Sequence, residues 1–254
     1  MTFEIRPLSD ALGAEVVGLD LRDPLDTETF AKVHRAHLEH LVLVFRDQHL
    51  TPQQQIDFSK RFGALDQHPS DDAVLPGYPD ILVVSTKRES GKYVGLPDGG
   101  PMWHSDLAYK ARPALGSMLY ALEVPDAGGN TGFANMYKAF DALPADLKAA
   151  VEGKRAVFIA GRSNAQRSFK RPLNKAQRDK TPASAHPIIR THPETGRKLI
   201  FANPQHSVAI EGMDEARSAE ILAALFEHSS QPEFIYSHAW QVGDLTFWDN
   251  RCVQ

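Results

Sequence analysis

The sequence places a histidine and an aspartate two positions apart, at His104 and Asp106. In an extended strand, side chains at i and i+2 project from the same face, so the imidazole and the carboxylate could reach one metal ion. Nitrogen and carboxylate donors suit divalent first-row transition metals. A chain with 11 histidines is expected to contain such a triplet by chance, and an ordinary hydrogen-bonded pair is the structural alternative. The spacing therefore permits a metal site but does not establish one.

Other familiar signatures of catalysis are missing from the sequence. It has no phosphate-binding Walker loop, no Gly-X-Ser-X-Gly elbow and no Cys-X-X-Cys pair, and Cys252 is its single cysteine. His34, His37 and His40 fall in a predicted helix, where we interpret them as boundary or surface residues and not as ligands. Of these catalytic chemistries, only the one that uses histidine and carboxylate side chains has candidate residues in the sequence.

Composition narrows the class of protein. The 254 residues are 42% hydrophobic and 24% charged, which is typical of a globular protein, and we expect a single domain over residues 1–254. The net charge of −4 argues against a surface made for nucleic acid or anionic lipid. The longest apolar run, Leu41 to Phe45, is too short to span a membrane, and the N-terminus lacks a signal-peptide pattern. We therefore expect a cytoplasmic protein.

The elements that must position these residues are mixed. Apolar spacing and capping residues predict a helix after Asp26 or Thr27, a second one after Thr51-Pro52, and two more over 137–151 and 214–228. Strand-length apolar runs occupy 41–45, 81–84, 118–124, 156–159, 187–191, 199–202, 234–240 and 245–248. Many short strands with few helices favour a jelly-roll-like antiparallel core flanked by helices over a strictly alternating Rossmann sheet.

One segment departs from the average composition. Residues 162–180 carry seven Lys or Arg against one Asp. A solvated surface loop is the plainest interpretation, a lid that attracts anions to an active site is the functional one, and nucleic-acid binding is the third. The scarcity of aromatic residues disfavours the third, because single-stranded nucleic acids are held by stacking on aromatic rings.

Three longer segments, 112–148, 186–213 and 234–252, together resemble the TauD/TfdA family of Fe(II)- and 2-oxoglutarate-dependent dioxygenases. The resemblance extends from about residue 3 to Gln254. Within the family, residues 233–253 are most similar to the aryloxyalkanoate (2,4-dichlorophenoxyacetate-type) branch. The fold that the resemblance implies is a double-stranded β-helix, or jelly roll, flanked by helices.

The resemblance also implies an iron site with two histidines and one carboxylate. His104 and Asp106 match the first two ligands, and the third would be a histidine directly after Gln254, one residue past the end of the sequence. The arginine for the distal carboxylate of 2-oxoglutarate would lie further on. We expect the natural chain to continue; the alternative is a short protein with an incomplete site and no activity. His192, His206 and His238 are the only substitutes available, and structural roles explain His192 and His238 better.

Further roles are carried over by resemblance. Thr131 matches a threonine that helps to hold 2-oxoglutarate, and Trp248 and Asn250 match residues that line or brace the iron pocket, with Asp249 bracing the last strand. His68 and His206 match positions that contact substrate. The taurine branch has Asn four residues before the first ligand, where this chain has Gly100, so taurine is disfavoured.

The implied reaction couples oxidation of 2-oxoglutarate by O₂ to hydroxylation of a small anionic substrate, with release of succinate and CO₂. Hydroxylation at a carbon bearing an ether oxygen or a sulfonate would lead to C–O or C–S cleavage. The implied cofactors are Fe(II), 2-oxoglutarate as cosubstrate and O₂, without nucleic-acid or membrane partners, in a homo-oligomer (dimer or tetramer). Two alternatives stay open: a non-catalytic jelly-roll protein that binds a metal or 2-oxoglutarate, and a binding module that uses the basic segment.

Overall fold

The computed structural model describes residues 2–66, 73–97, 100, 102–161 and 181–254. The predicted substrate residue His68 and the basic segment 162–180 lie outside the described residues. The described chain is a mixture of helices and short strands. The helices are α1 (Thr27–His40), α2 (Pro52–Lys60), α3 (Met136–Asp141), α4 (Ala145–Val151) and α5 (Glu215–Ser229). The strands are β1 (Glu4–Pro7), β2 (Ala14–Val17), β3 (Val42–Phe45), β4 (Val74–Leu75), β5 (Tyr78–Leu82), β6 (Arg88–Glu89), β7 (Lys92–Tyr93), β8 (Gly116–Tyr120), β9 (Thr131–Ala134), β10 (Arg155–Phe158), β11 (Ser184–Pro187), β12 (Ile189–Thr191), β13 (Lys198–Ile200), β14 (Ser207–Ile210), β15 (Ile235–His238) and β16 (Leu245–Asp249).

The largest sheet brings the two ends of the described chain together. Its strand order is β1-β2-β3-β16-β8, so β16 lies between a strand from the first 45 residues and one from the middle of the chain. Only the β2–β3 pairing is parallel in this sheet. Trp248 of β16 lies opposite Val42 of β3 and Ser117 of β8. The register thereby places a polar residue of β8 beside the end of β16.

The two faces of this sheet pack against different parts of the molecule. Leu43 and Leu245 belong to a buried cluster with Val33 of α1 and Phe58 of α2. Side chains alternate across a strand, so Trp248 points to the opposite face and packs against the larger cluster, which includes Phe133. Burial on both faces explains why β3 is apolar throughout.

Smaller antiparallel sheets complete the larger core. The structure pairs β10 with β11 and β14, β12 with β13, and β9 with β15. Helix α5 packs beside β14, and α3 packs beside β13. Within the described ranges these sheets do not close into a barrel. The mixed class expected from the sequence is confirmed at this level.

Local sequence signals predicted most helices correctly. Asp26 caps α1 by accepting from the Thr29 N–H, Thr51 forms a capping box at α2, and Asp214 caps α5. The prediction of one helix over 137–151 is wrong, because the chain forms α3 and α4 with Pro144 as the N-cap of α4. A proline lacks the N–H that a continuous helix requires, so the helix restarts there.

Two further expectations are corrected. The run 187–191 forms two strands, β11 and β12, instead of one. His37, interpreted from sequence as a boundary or surface residue, is fully buried, and its ring stacks on Phe247 with centroids 3.8 Å apart. The helical face that carries Val33 also carries His37 into the core, so its burial follows from the helix period.

Among the described helices, none combines the length and the apolar composition that a membrane-spanning helix requires.

Candidate metal centre

His104 and Asp106 converge as the sequence predicted, but not on a strand. Residues 103–105 are irregular and Asp106 begins a turn, so the expectation of an extended strand is wrong. His104 Nε2 nevertheless lies 3.4 Å from Asp106 Oδ1. Two donors bound at right angles to one ion, each about 2.1 Å away, would lie about 3 Å apart. The pair therefore fits two neighbouring positions around one metal ion.

The backbone selects the tautomer of His104. Its Nδ1 lies 2.8 Å from the carbonyl oxygen of Met102, where the ring N–H donates. Nε2 is consequently the nitrogen that carries a lone pair, on the side of Asp106. Metal-binding histidines are commonly oriented in this way, by donation of the second ring N–H to a carbonyl.

Three residues from other elements hold Asp106. The Ser117 hydroxyl donates to Asp106 Oδ2 at 2.6 Å and accepts from Asn250 Nδ2 at 2.8 Å. Asn250 Oδ1 accepts from the Asp106 backbone N–H at 3.0 Å and from Trp248 Nε1 at 3.1 Å. The network fixes the carboxylate from β8 and from the end of β16. Trp248 and Asn250 thus lie where the resemblance expects bracing residues.

The network also keeps Asp106 ionised. Burial raises the pKa of Asp106, but the hydrogen bond and the positive charge of His104 in its protonated form, together with the hydrogen bond from Ser117, outweigh it, so the net pKa lies below its usual value. A metal ion would take the place of the second His104 proton and leave the ring neutral. The side chains remain partly accessible, 20% exposed for His104 and 36% for Asp106. An anionic oxygen and a neutral imidazole nitrogen, both reachable from solvent, form a suitable donor set for a divalent iron-group cation.

Ser105, between the two candidate ligands, contacts the last residues of the sequence. Its hydroxyl donates to the Val253 carbonyl at 2.7 Å. The backbones of Gln254 and Ala134 exchange hydrogen bonds, and Gln254 Nε2 donates to the Ala202 carbonyl. The segment 252–254 is therefore buried next to the candidate ligands.

Thr131 lies near this centre at the start of β9. Its hydroxyl accepts from Trp240 Nε1 at 2.9 Å. The next residue, Gly132, lies against the Trp103 ring so closely that a Cβ there would be 2.7 Å from the ring edge. Because Trp103 precedes His104, this contact sets the distance between β9 and the candidate ligands.

A turn between β13 and β14 covers the other side of His104. The His206 ring centroid lies 6.2 Å from that of His104 and 5.2 Å from that of Tyr109. Gln205, the neighbour of His206, is 4% exposed and donates its backbone N–H to the Trp103 carbonyl at 3.3 Å. Burial, with a smaller contribution from the Asp106 charge, raises the pKa of Tyr109 to about 12, so its phenol stays protonated.

A second cluster of potential ligands has a structural explanation. His192, Asp249 and Cys252 are buried and offer donor atoms within 4.8 Å of one another. His192 Nδ1 accepts two backbone N–H bonds, so the proton is on Nε2, 3.1 Å from Asp249 Oδ2. Arg251 also donates to both carboxylate oxygens of Asp249. With the lone pairs engaged and a guanidinium in contact, this cluster braces the end of β16.

His238 is held in a comparable way. Its Nε2 lies 3.1 Å from Asp244 Oδ2, and the same oxygen accepts from Arg46 at 2.7 Å. The hydrogen bonds from His238, the Gln241 backbone and Arg46 outweigh burial and lower the pKa of Asp244. His192 and His238 therefore each contact a buried carboxylate other than Asp106.

Sequence reasoning missed three polar residues at this centre: Ser117, Gln205 and Tyr109. Ser117 has a recognisable signal, since it is a polar residue among apolar neighbours in β8. The sequence has no comparable signal for Gln205, because its approach to His104 depends on how the turn 203–207 folds over residue 103.

The chain is similar to known proteins over almost its whole length. A family model described as taurine catabolism dioxygenase TauD, TfdA family, matches residues 4–254. The alpha-ketoglutarate-dependent 2,4-dichlorophenoxyacetate dioxygenase of Cupriavidus pinatubonensis is 38% identical, over 100% of this chain and 91% of that protein. An (S)-phenoxypropionate/alpha-ketoglutarate-dioxygenase of Sphingobium herbicidovorans is 36% identical, over 99% of this chain and 88% of that protein.

Solved structures extend the comparison to three dimensions. AAD-2 in complex with Mn(II) and N-oxalylglycine matches with a TM-score of 0.81 and 32% identity, over 100% of this chain and 89% of that chain. A taurine dioxygenase from Burkholderia xenovorans matches with a TM-score of 0.82 and 31% identity, over 100% of this chain and 81% of that chain. These similarities extend over the whole described chain.

Proposed function

Because the chain belongs to the taurine catabolism dioxygenase TauD, TfdA family, we propose that it hydroxylates a small anionic organic substrate at an iron held by His104 and Asp106. Its enzyme class is that of the relatives, a 2-oxoglutarate-dependent dioxygenase that uses Fe(II), 2-oxoglutarate and O₂. The observation that carries the assignment of ligands is the 3.4 Å separation of the two donors, with Asp106 held by Ser117 and Asn250. When bound, the iron and its cosubstrate would supply the oxidising power for breaking a C–H bond.

The third ligand in this proposal is the histidine that the resemblance assigns to the position after Gln254. The hydrogen bond from Ser105 to the Val253 carbonyl supports it, because it holds that part of the backbone beside the two donors. His192 and His238 are unsuited to the role, since each contacts a different buried carboxylate.

Thr131, at the start of β9, is proposed to contact 2-oxoglutarate. Its hydroxyl oxygen accepts from Trp240, which leaves the hydroxyl proton to donate to a carboxylate. Trp248 and Asn250 act in the proposal by fixing Asp106. The residues present therefore fit a metal ion with a dicarboxylate chelated next to it.

The substrate in this proposal is an aryloxyalkanoate, a sulfonate or a similar anion. Two relatives are named for activity on 2,4-dichlorophenoxyacetate and (S)-phenoxypropionate, which favours an aryloxyalkanoate. His206 and His68 remain the predicted substrate residues; His206 lies beside His104, and His68 is outside the described residues. Hydroxylation of the carbon that bears the ether oxygen would then lead to cleavage of the C–O bond.

The finer architecture is also proposed by family membership. We expect the short antiparallel sheets to form the two halves of a jelly roll in one domain. A cytoplasmic homo-oligomer without nucleic-acid partners is the corresponding expectation for the whole protein.

An anaerobic titration of the full-length protein with Fe(II) and 2-oxoglutarate tests the proposal. We expect the weak visible absorption of an iron–2-oxoglutarate chelate, and succinate release in air with a panel of aryloxyalkanoates and sulfonates. Asp106→Ala should abolish both signals, because it removes a ligand. Ser117→Ala should weaken metal binding by about 10–100-fold, since the carboxylate loses its supporting hydroxyl.

The matched control is Ser237→Ala, which removes an exposed serine hydroxyl of β15 and should leave metal binding unchanged. Absence of the absorption band in the wild-type protein, or its persistence in Asp106→Ala, would contradict the proposed site.

A further inference from the structure

Gln205 has a buried amide oxygen without a partner. The side chain is 4% exposed, and Oε1 has no hydrogen-bond partner among the residues that the structure describes. Leaving a buried acceptor unsatisfied destabilises the folded protein. Its hydrogen-bonding capacity is therefore available to a bound ligand.

The amide oxygen lies beside the candidate metal ligand His104. A Cβ built on Gly100 would be 3.0 Å from Gln205 Oε1 and 2.6 Å from His104 Cε1. Gly100 has a φ of +120°, which a residue with a side chain rarely adopts. Position 100 therefore has no room for a side chain. The Gln205 amide lies in the space that such a side chain would enter, next to His104.

Hydrogen bonds within the turn 203–207 and to Trp103 hold the backbone at Gln205. Asn203 Oδ1 accepts from the His206 N–H, and the Asn203 carbonyl accepts from the Ser207 N–H at 3.0 Å. The Gln205 N–H donates to the carbonyl of Trp103, the residue before His104. These bonds fix the backbone from which the Gln205 side chain extends towards the metal pair.

His206 determines which atom of the amide faces the centre. His206 Nδ1 lies 3.2 Å from the Ile159 carbonyl oxygen, so the ring carries its proton there. Nε2 is then an acceptor and takes a long hydrogen bond from Gln205 Nε2 at 3.4 Å. The amide nitrogen is directed to His206, and Oε1 is left on the side of Gly100 and His104.

We propose that Gln205 is a specificity-determining residue whose amide oxygen accepts a hydrogen bond from an O–H or N–H group on the substrate, with His206 as its positioning residue. The inference rests on the proposed function and narrows its substrate class. The substrate would be an anion that also carries a hydrogen-bond donor near the carbon to be hydroxylated. A plain phenoxyacetate, which has no hydrogen-bond donor once its acid group is ionised, would leave Oε1 unsatisfied.

The activity test compares molecules that differ only by the donor. The probes are ortho-hydroxyphenoxyacetate against ortho-methylphenoxyacetate, and taurine against propanesulfonate, each followed by succinate release from the full-length iron enzyme. We expect at least one donor-bearing member to exceed its methyl counterpart by about tenfold or more in kcat/KM, as one hydrogen bond allows. In Gln205→Met this ratio should fall to near one, while Gln205→Glu, which keeps an acceptor oxygen, should retain a preference for the donor. Equal use of both members of every pair by the wild type, or a ratio that survives in Gln205→Met, would overturn the proposal.

A stability measurement decides the question without any substrate. Gln48 is a matched control, because it is 5% exposed and its amide is fully bonded, accepting from the Leu21 N–H and donating to the Leu19 and Arg46 carbonyls. Gln48→Met should lower the urea midpoint of unfolding, whereas Gln205→Met should leave it unchanged or raise it. If Gln205→Met lowers the midpoint as much as Gln48→Met does, Gln205 is structural and the proposal fails.

The two tests also separate this inference from the proposed function. If the wild-type protein shows no iron–2-oxoglutarate absorption band, the proposed function itself fails. A normal band in both wild type and Gln205→Met, with loss of donor preference only in the variant, would support Gln205 as a contact to substrate.

Discussion

At the scale of single residues, the interior contains polar groups with contrasting environments. Asp244 and Asp249 each accept several hydrogen bonds, Asp106 accepts one from Ser117 beside His104, and the pKa of each carboxyl is lowered. His37 is fully buried, and neither of its ring nitrogens has a partner in the described part of the chain. Its Nε2 lies 3.7 Å from Asp249 Oδ2, too far for a good hydrogen bond. Such a residue lowers stability in a pH-dependent way.

Replacement of His37 by leucine should remove acid sensitivity. Burial is the main cause that lowers the pKa of His37 from 6.5 to about 4. Between these values the unfolded chain binds a proton that the folded chain does not, so stability falls as the pH falls from about 6.5 towards 4. The loss reaches on the order of 3 kcal/mol for this residue. Urea unfolding of His37→Leu from pH 7.5 to 4.5 should be correspondingly flatter than that of the wild type.

The control for this experiment is His49→Leu, because the His49 side chain is 70% exposed. It should leave the pH dependence of unfolding close to that of the wild type. An equally steep acid decline in His37→Leu and in the wild type would show that other groups dominate.

At the scale of elements, β16 joins the separate parts of the molecule at its C-terminal end. Asp249 is the last residue of this strand and accepts from Arg251 through both carboxylate oxygens and from His192 after β12. Arg251 continues the network to Glu194 at 2.5 Å. Because the junction is buried, its charged groups are stabilised by one another instead of by water.

Asp249→Asn should be strongly destabilising. The amide would place N–H groups against the Arg251 or His192 donors and would leave Arg251, 11% exposed, without its main counter-charge. Breaking a buried pair by removing one partner costs about 3–5 kcal/mol. The control is Asp141→Asn at the exposed pair with Arg197, where a change within about 1 kcal/mol is expected. Equal losses in the two variants, measured by urea unfolding, would mean that Asp249 contributes no more than a surface charge.

Elements whose ends are coded locally could be predicted from the sequence. Asp26, Thr51 and Asp214 each cap a helix at the expected position, because a cap needs only its own three or four following residues. The break at Pro144 was also locally coded but was outweighed by apolar periodicity in the prediction. The strand order β3-β16-β8 was not predictable, since it joins residues about two hundred positions apart.

The candidate site likewise combines residues that could be predicted from the local sequence with residues that could not. His104 and Asp106 were predicted because they lie two positions apart in the sequence and belong to a recognisable family pattern. Ser117 reaches Asp106 only through the pairing of β8 with β16, and Gln205 reaches His104 only through the contact of its turn with Trp103. Contacts that depend on tertiary structure leave little trace in a single sequence.

At the scale of the whole molecule, the candidate site is assembled from distant parts of the chain. Its residues come from the segment around His104, from β8, from the turn 203–207 and from the end of β16. A ligand that binds this arrangement can bind only the folded protein, so its binding free energy adds to the stability of the whole. The site and the fold should therefore be coupled in a thermal unfolding experiment.

Mn(II) with N-oxalylglycine, the pair present in the AAD-2 structure, should raise the melting temperature of the full-length protein. At a ligand concentration 100 times Kd, binding adds about 2.7 kcal/mol, and about 1 kcal/mol corresponds to roughly 2–4 °C for a chain of this size, so the expected rise is about 5–10 °C. Each ligand alone should give less, because N-oxalylglycine gains most of its affinity by chelating the metal. Asp106→Ala should show no joint effect, since the metal loses its carboxylate. A full rise with N-oxalylglycine alone, or an unchanged rise in Asp106→Ala, would mean that the ligand binds away from His104 and Asp106.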